Sequence, residues 1–243
     1  MSSLIIPEWP APANVRACST TRIGGVSQLP YDSLNLGAHV ADDPAHVRQN
    51  RHLLCDLAGF PAMPLWLNQV HGTDVVTLPQ ARGGVPQADA SYTRAEGQVC
   101  AVMTADCLPV IFCSRDGREV AAAHAGWRGL CGGVLESTLA TFRSPPEDIL
   151  VWLGPAIGPQ AFEVGPEVRD TFIAHDPAAA EAFIPVEQKY LADLWMLARQ
   201  RLSCAGVIAV YGGGRCTYSE PGAFFSYRRE SVTGRMATLV WLV

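Results

Sequence analysis

The chain has 243 residues, 49% of them apolar and 17% charged, a composition that suits a folded globular protein and excludes a disordered one. Its 18 Lys and Arg against 23 Asp and Glu leave a net charge of -5 and form no basic run, so neither nucleic acid nor an anionic membrane is expected as a partner. The opening Met1-Ser2-Ser3-Leu4-Ile5-Ile6-Pro7 lacks the positive region of a signal peptide, and no segment is long enough to span a bilayer. A cytoplasmic location is therefore expected, with the 8 Cys as thiols or metal ligands and none arranged as C-x-x-C.

In chain order, Val15 to Thr21 reads as a strand. The following Arg22-Ile23-Gly24-Gly25-Val26-Ser27 has the paired glycines of a tight loop, which can bring N–H groups and Arg22 to an anion. Ser33-Leu34-Asn35-Leu36-Gly37 is too short to classify. Asp42-Asp43-Pro44 starts a helix with Val47, Leu53, Leu54 and Leu57 on its apolar face. Pro64 to Val70 reads as a strand that delivers Gln69-Val70-His71-Gly72 at its end, making His71 a candidate ligand. Ala81 to Gln87 reads as a loop, and Ala88-Asp89-Ala90 and Val99 to Thr104 lead on to a hairpin.

That hairpin is Leu108 to Cys113 and Glu119 to Ala123, joined through an Asp116-Gly117 turn signal. Such a turn places Cys107 opposite Gly126 and His124 two residues away on the same face, a diagonal pair ~7 Å apart at the backbone. From Trp127 to Phe142 apolar residues recur at helical spacing. The helix start would aim free N–H groups at the pocket, and Arg128 in its first turn opposes the dipole unless an anion is held there. Ile149 to Leu153 is a strand, Gly154-Pro155-Ala156-Ile157-Gly158-Pro159 a stiff loop, Gln188 to Cys204 a second long helix, and Val207 to Tyr211 and Met236 to Val243 strands. With no repeat or linker, residues 1–243 read as one domain, an α/β (α+β) arrangement of mixed sheet and covering helices.

One thiolate and two imidazoles, from Cys107, His124 and His71, form a set that zinc accepts in catalytic sites with a fourth position open to water. Asp106 beside Cys107 could serve as general acid or base, or only cap the strand entry. Two other chemistries use the same atoms. A copper site would add Met103 as axial ligand, although 6 His without a His-x-His pair are too few for a multicopper oxidase. A metal-free pair would use Cys107 as nucleophile and His124 as base. Taken singly, each is an ordinary buried Cys or core His. Neither H-x-E nor P-C-x-x-C of the zinc nucleobase deaminases occurs.

Together, Gln69-Val70-His71-Gly72, Thr104-Ala105-Asp106-Cys107-Leu108-Pro109-Val110, His124-Ala125-Gly126-Trp127-Arg128-Gly129 and Gly154-Pro155-Ala156-Ile157-Gly158-Pro159 resemble the laccase-domain family. Its members are also described as purine nucleoside phosphorylases, bacterial polyphenol oxidases and peptidoglycan editing factors. The likeness runs from Ser19-Thr20-Thr21-Arg22 to Ser226-Tyr227-Arg228-Arg229. It implies a single-domain α/β sandwich with a surface pocket and zinc on His71, Cys107 and His124. It also implies phosphate-dependent cleavage of adenosine, inosine, guanosine or methylthioadenosine, with adenosine deamination as a second activity. In that scheme zinc and Asp106 act at the base, while Arg22, Asn35 and Arg128 serve substrate and phosphate. The competing readings are a peptidoglycan-precursor editing hydrolase, a copper-dependent phenol oxidase and a non-enzymatic protein with structural zinc. The last would want four protein ligands where three can be nominated.

Overall fold

Near-continuous apolar runs such as Val99–Thr104, Leu108–Ser114, Val120–Ala125 and Met236–Leu242 are strands covered on both faces. The computed structural model describes residues 2–80 and 83–243. Its first half holds β1 (Leu4–Ile5), β2 (Val15–Thr20), α1 (Pro44–Ala58), β3 (Val75–Leu78), β4 (Ala90–Thr93), β5 (Val99–Thr104), β6 (Leu108–Ser114) and β7 (Val120–Ala125). Then come α2 (Trp127–Gly132), α3 (Val134–Leu139), β8 (Ile149–Leu153), β9 (Glu163–Val164), α4 (Pro166–His175), β10 (Phe183–Val186) and β11 (Lys189–Ala192). The chain finishes with α5 (Leu194–Cys204), β12 (Ala209–Gly212) and β13 (Met236–Leu242).

Two sheets carry the architecture, an antiparallel one ordered β1-β2-β13-β5 and a mixed one ordered β12-β8-β6-β7-β4-β3. A small sheet of β10, β11 and β9 stands apart. The strand period of two assigns alternate residues to different layers. Cys100, Val102, Val240 and Leu242 of one sheet meet Ile111, Cys113, Ala122 and Trp152 of the other. On the outer face of the first sheet, Ala101, Met103, Leu239 and Trp241 pack with Leu54 of α1 and with Leu34 and Leu36. On the outer face of the second, Val110, Phe112, Ala123 and Val151 pack against α2, α3, α4 and α5. The expected mixed-sheet sandwich with covering helices is therefore what forms, as four layers.

The hairpin register is the expected one. Pro109 pairs with His124 and Leu108 with Ala125, which brings Cys107 opposite Gly126. Elsewhere local structure departs from the periodicity. The helix expected over 127–142 is broken at Gly133, whose φ of 101° is accessible to glycine, so α2 is only six residues long. The second long helix starts at Leu194, because Lys189–Ala192 is taken up as β11. Residues 64–70 form no strand and make one isolated bridge, Asn68 to Gln87. Of the loop expected at 81–87, Ala81 and Arg82 lie outside the described residues. No helix among the described residues is long and apolar enough to cross a membrane.

Candidate metal centre

At the open end between the two sheets, β6 starts with the residue after Cys107 and β7 ends one residue after His124. The 68–72 loop lies across that end. His71 Nε2 stands 3.8 Å from Cys107 Sγ, and the rings of His71 and His124 meet edge to face at 4.8 Å. The ligand atoms of the three residues all lie within 4.8 Å of one another. Ligands of one tetrahedral zinc stand ~3.5 Å apart, given bonds of about 2.0–2.3 Å, so small side-chain rotations suffice to close on an ion. A pocket of about 500 Å³ opens over the cluster, lined also by His39, Gln69, Met103, Tyr227 and Arg235.

Asp89 ties two of the ligands together. Its carboxylate is fully buried and accepts hydrogen bonds from His124 Nδ1 at 2.8 Å and from the backbone N–H groups of Val70, His71 and Gly72 at 3.1, 2.9 and 2.7 Å. Accepting from Nδ1 fixes the tautomer of His124 and leaves Nε2 as the lone pair for a metal. The three N–H bonds hold His71 at φ 62°, a left-handed conformation costly for a non-glycine residue. Gln69 fixes the same loop from its other side. Its amide donates to Met103 O at 2.8 Å and accepts from Met103 N at 2.7 Å, satisfying backbone groups on β5, the outer strand of its sheet.

The glycines of His124-Ala125-Gly126-Trp127-Arg128-Gly129 leave room for this convergence. A Cβ at Gly126 would stand 2.7 Å from His71 Cδ2 and 3.0 Å from Cys107 Sγ. One at Gly129 would stand 2.8 Å from Gly72 O. Both positions need close approach, which glycine alone permits.

Desolvation disfavours charge on partly buried Cys107 and on buried His124 and Asp89, and their mutual contacts reverse that. For Cys107, burial pushes the thiol up, but the charge and hydrogen bond of His124 and those of His71 bring it down to about 6. For His124, burial pushes the imidazole down, but facing Cys107 and Asp89 raises it to about 9. For Asp89, burial opposes ionisation, yet the bonds from His124 and from the Gly72 and Val70 N–H groups hold it below the usual carboxylate range. A thiolate, an oriented imidazole and a second imidazole at one pocket floor are the donor set of a divalent-metal site.

The other residues nominated from sequence lie elsewhere. Asp106 precedes Cys107 at φ 91°, and its carboxylate accepts from Thr217 Oγ1 at 2.6 Å, Ser226 Oγ at 3.0 Å and Arg228 N at 2.7 Å. Its carbonyl accepts from Ile157 N at 2.9 Å. The stiff 154–159 loop and the Ser226-Tyr227-Arg228-Arg229 segment thus converge on the residue that presents Cys107. Arg22 donates to Asp32 and stacks over Phe225, and exposed Arg128 lies over the Trp127 ring. Asn35 is fully buried, with Oδ1 accepting from the N–H groups of Gly37 and Arg235. None of Asp106, Arg22, Asn35 or Arg128 lines the pocket over the cluster. Sequence reasoning passed over Asp89, Gln69 and Arg235. The one local signal for Asp89 was a carboxylate between two alanines at a strand entry.

Residues 16–243 match the family described as multi-copper polyphenol oxidoreductase laccase. The chain is 61% identical over 243 residues to purine nucleoside phosphorylase YfiH of Escherichia coli K12, with 100% of both chains covered. It is 56% identical over 244 residues to purine nucleoside phosphorylase PA4543 of Pseudomonas aeruginosa, covering 100% of this chain and 99% of that protein. The crystal structure of Neisseria meningitidis protein NMB0706 superposes with a TM-score of 0.96 at 54% identity over 99% of each chain. That of YlmD from Geobacillus stearothermophilus superposes with a TM-score of 0.92 at 33% identity over 99% of this chain and 96% of that one. The match of nearly the whole chain in sequence and in fold means that this protein belongs to the laccase-domain family of multi-copper polyphenol oxidoreductases, whose curated relatives here are named purine nucleoside phosphorylases.

Proposed function

We propose that this protein is a zinc-dependent purine nucleoside phosphorylase of the cytoplasm, acting on adenosine, inosine, guanosine and methylthioadenosine, with adenosine deamination as a second activity. The observation that carries the reading is the convergence of His71, Cys107 and His124 at the floor of a pocket of about 500 Å³, a volume suited to a small molecule such as a nucleoside. The names of the relatives support the choice of substrate class. Zinc bound there would supply a Lewis acid and an acidified water. Cys107 contributes the thiolate and His71 and His124 the imidazoles. Asp89 holds the Nδ1 proton of His124, so that this ring keeps one orientation through turnover. Asp106 acts on the chemistry through Cys107, as the residue that fixes its backbone.

A copper-dependent phenol oxidase draws on one further observation, that Met103 lines the same pocket. Against it, the one group of three or more metal-ligating His, Cys, Asp or Glu among the described residues is this cluster, while multicopper oxidation needs several copper sites. The experiment is to measure the metal content of purified protein and then to incubate it with adenosine, inosine, a peptidoglycan precursor, and a phenolic substrate plus copper, with and without phosphate. Free base released only with phosphate is the expected result. Phosphate-independent amide hydrolysis of peptidoglycan precursors, or copper-dependent phenol oxidation without base release, would replace the reading.

A further inference from the structure

Phosphorolysis needs an anion held beside the glycosidic bond, and the pocket over the cluster contains one guanidinium among its lining residues, Arg235. It sits immediately before β13 and is fixed from several sides. Its N–H donates to Asn35 Oδ1 at 2.9 Å and its carbonyl accepts from Leu36 N at 3.1 Å. Nη1 donates to Thr233 O and Gly234 O, both at 3.0 Å. The side-chain stem lies on Gly37, where an added Cβ would stand 2.7 Å from Arg235 Cγ. Gly234 is held equally tightly, since a Cβ there would meet Phe225 Cζ at 2.7 Å.

This bonding spends Nη1 and leaves the Nε–Nη2 edge of the guanidinium without a protein acceptor among the described residues. No carboxylate oxygen of the described residues lies within 4.0 Å of it. Arg22 and Arg51 are spent on that edge, and Arg128 does not line this pocket. Arg51, in the adjoining compartment, gives Nε and Nη2 to Leu36 O at 3.0 and 2.8 Å, and Arg22 gives both to Asp32. Burial works against the charge of Arg235, with Cys107, Tyr227 and Asp106 acting in the opposite direction. A half-buried cation held rigidly without a carboxylate, its planar two-donor edge free, suits bidentate recognition of an oxyanion.

We propose that Arg235 binds the phosphate co-substrate through its Nε and Nη2 edge, within the same pocket as the metal ligands. The inference rests on the phosphorylase reading above. In the step it serves, an oxygen of hydrogen phosphate forms a bond to C1′ while the C1′–N9 bond breaks. The electron pair leaves on the base, and the proton of the phosphate passes to that base, giving free base and ribose 1-phosphate. Asn35 takes a positioning part, holding the Arg235 backbone.

The test uses full-length, metal-replete protein with inosine as nucleoside, in the wild type and in Arg235→Gln and Arg235→Lys. Base release is measured against phosphate concentration, and binding of inorganic phosphate alone is measured by calorimetry. Arg235→Gln is expected to raise the phosphate KM at least tenfold, with the inosine KM changed less than threefold and a parallel loss of phosphate binding. Arg235→Lys should fall between, because it keeps the charge and loses the fork. A phosphate KM within twofold of wild type in Arg235→Gln, or in Arg235→Lys where the first variant does not fold, overturns the inference and leaves the phosphorylase reading intact. Absence of phosphate-dependent base release from the wild type overturns both.

Discussion

Replacing Asp89 by Asn isolates the charge that couples two ligand-bearing segments. In the wild type each carboxylate oxygen accepts two bonds, Oδ1 from His71 N and His124 Nδ1, and Oδ2 from Val70 N and Gly72 N. An amide of the same shape can keep one of these pairs. Its NH2 group then faces the two N–H donors of the other pair, inside a site with no exposed carboxylate surface. Leaving buried donors unsatisfied costs about 1–3 kcal/mol each, so for two donors a loss of roughly 2–6 kcal/mol in folding stability is expected. If the amide oxygen stays on His124 and His71 N, the bonds from Val70 N and Gly72 N are lost and the 70–72 loop loosens; if it turns to Val70 and Gly72, the bonds from His71 N and His124 are lost, and with them the tautomer of His124. Either outcome weakens the metal site, by about 10–100-fold for partners of this kind. Competition against a chromophoric chelator measures the affinity, and urea unfolding of the metal-free protein measures the stability. A metal affinity within twofold of wild type would refute the argument that Asp89 orients the ligands, whatever happened to stability.

Gly126→Ala should reduce metal stoichiometry sharply while the secondary structure seen by circular dichroism persists, because the new methyl would stand 2.7 Å from His71 and 3.0 Å from Cys107. Full metal loading by this variant would show that the cluster has more room than described. A separate prediction concerns Glu119, buried where β7 begins and accepting from Tyr92, from Arg143 N and Ser144 N at 2.9 Å, and from Ser144 Oγ at 2.7 Å. Burial opposes its ionisation, but these bonds, that from Arg143 N first, hold its carboxyl below the ordinary 4.5. A group depressed on folding stabilises above its unfolded pKa and loses that contribution as pH falls through the folded value. Wild-type stability should therefore fall as pH drops below about 4.5, and Glu119→Gln should be less stable by about 2–3 kcal/mol near neutrality with a shallower acid slope. Equal acid slopes in the two proteins would contradict this.

What the sequence showed most clearly was local geometry. The Asp116-Gly117 turn and the strand period fixed the pairing that sets Cys107 near His124, and continuous apolar runs marked the strands covered on both faces. Residues that act across long separations were hidden. Asp89 works on N–H groups 17–19 positions earlier and on a ring 35 positions later, and no spacing rule links those segments. Arg22 stood out because it adjoins a paired-glycine loop and Arg128 because a cation in the first turn of a helix opposes the dipole, yet their guanidinium groups are held by Asp32 and over Trp127. Arg235, at the mouth of the last strand, carries no local mark at all. The break in the helix over 127–142 was available as the Gly132-Gly133 pair, where apolar spacing outweighed a doubled glycine.

A single metal held by the thiolate of Cys107 and the imidazoles of His71 and His124 is tested most directly by X-ray absorption at the metal edge of the loaded protein. The expected shell has one sulfur at about 2.3 Å and two imidazole nitrogens at about 2.0–2.1 Å, with a lighter scatterer completing it. The sulfur should vanish in Cys107→Ser. A shell of nitrogen and oxygen alone in the wild type would contradict the account.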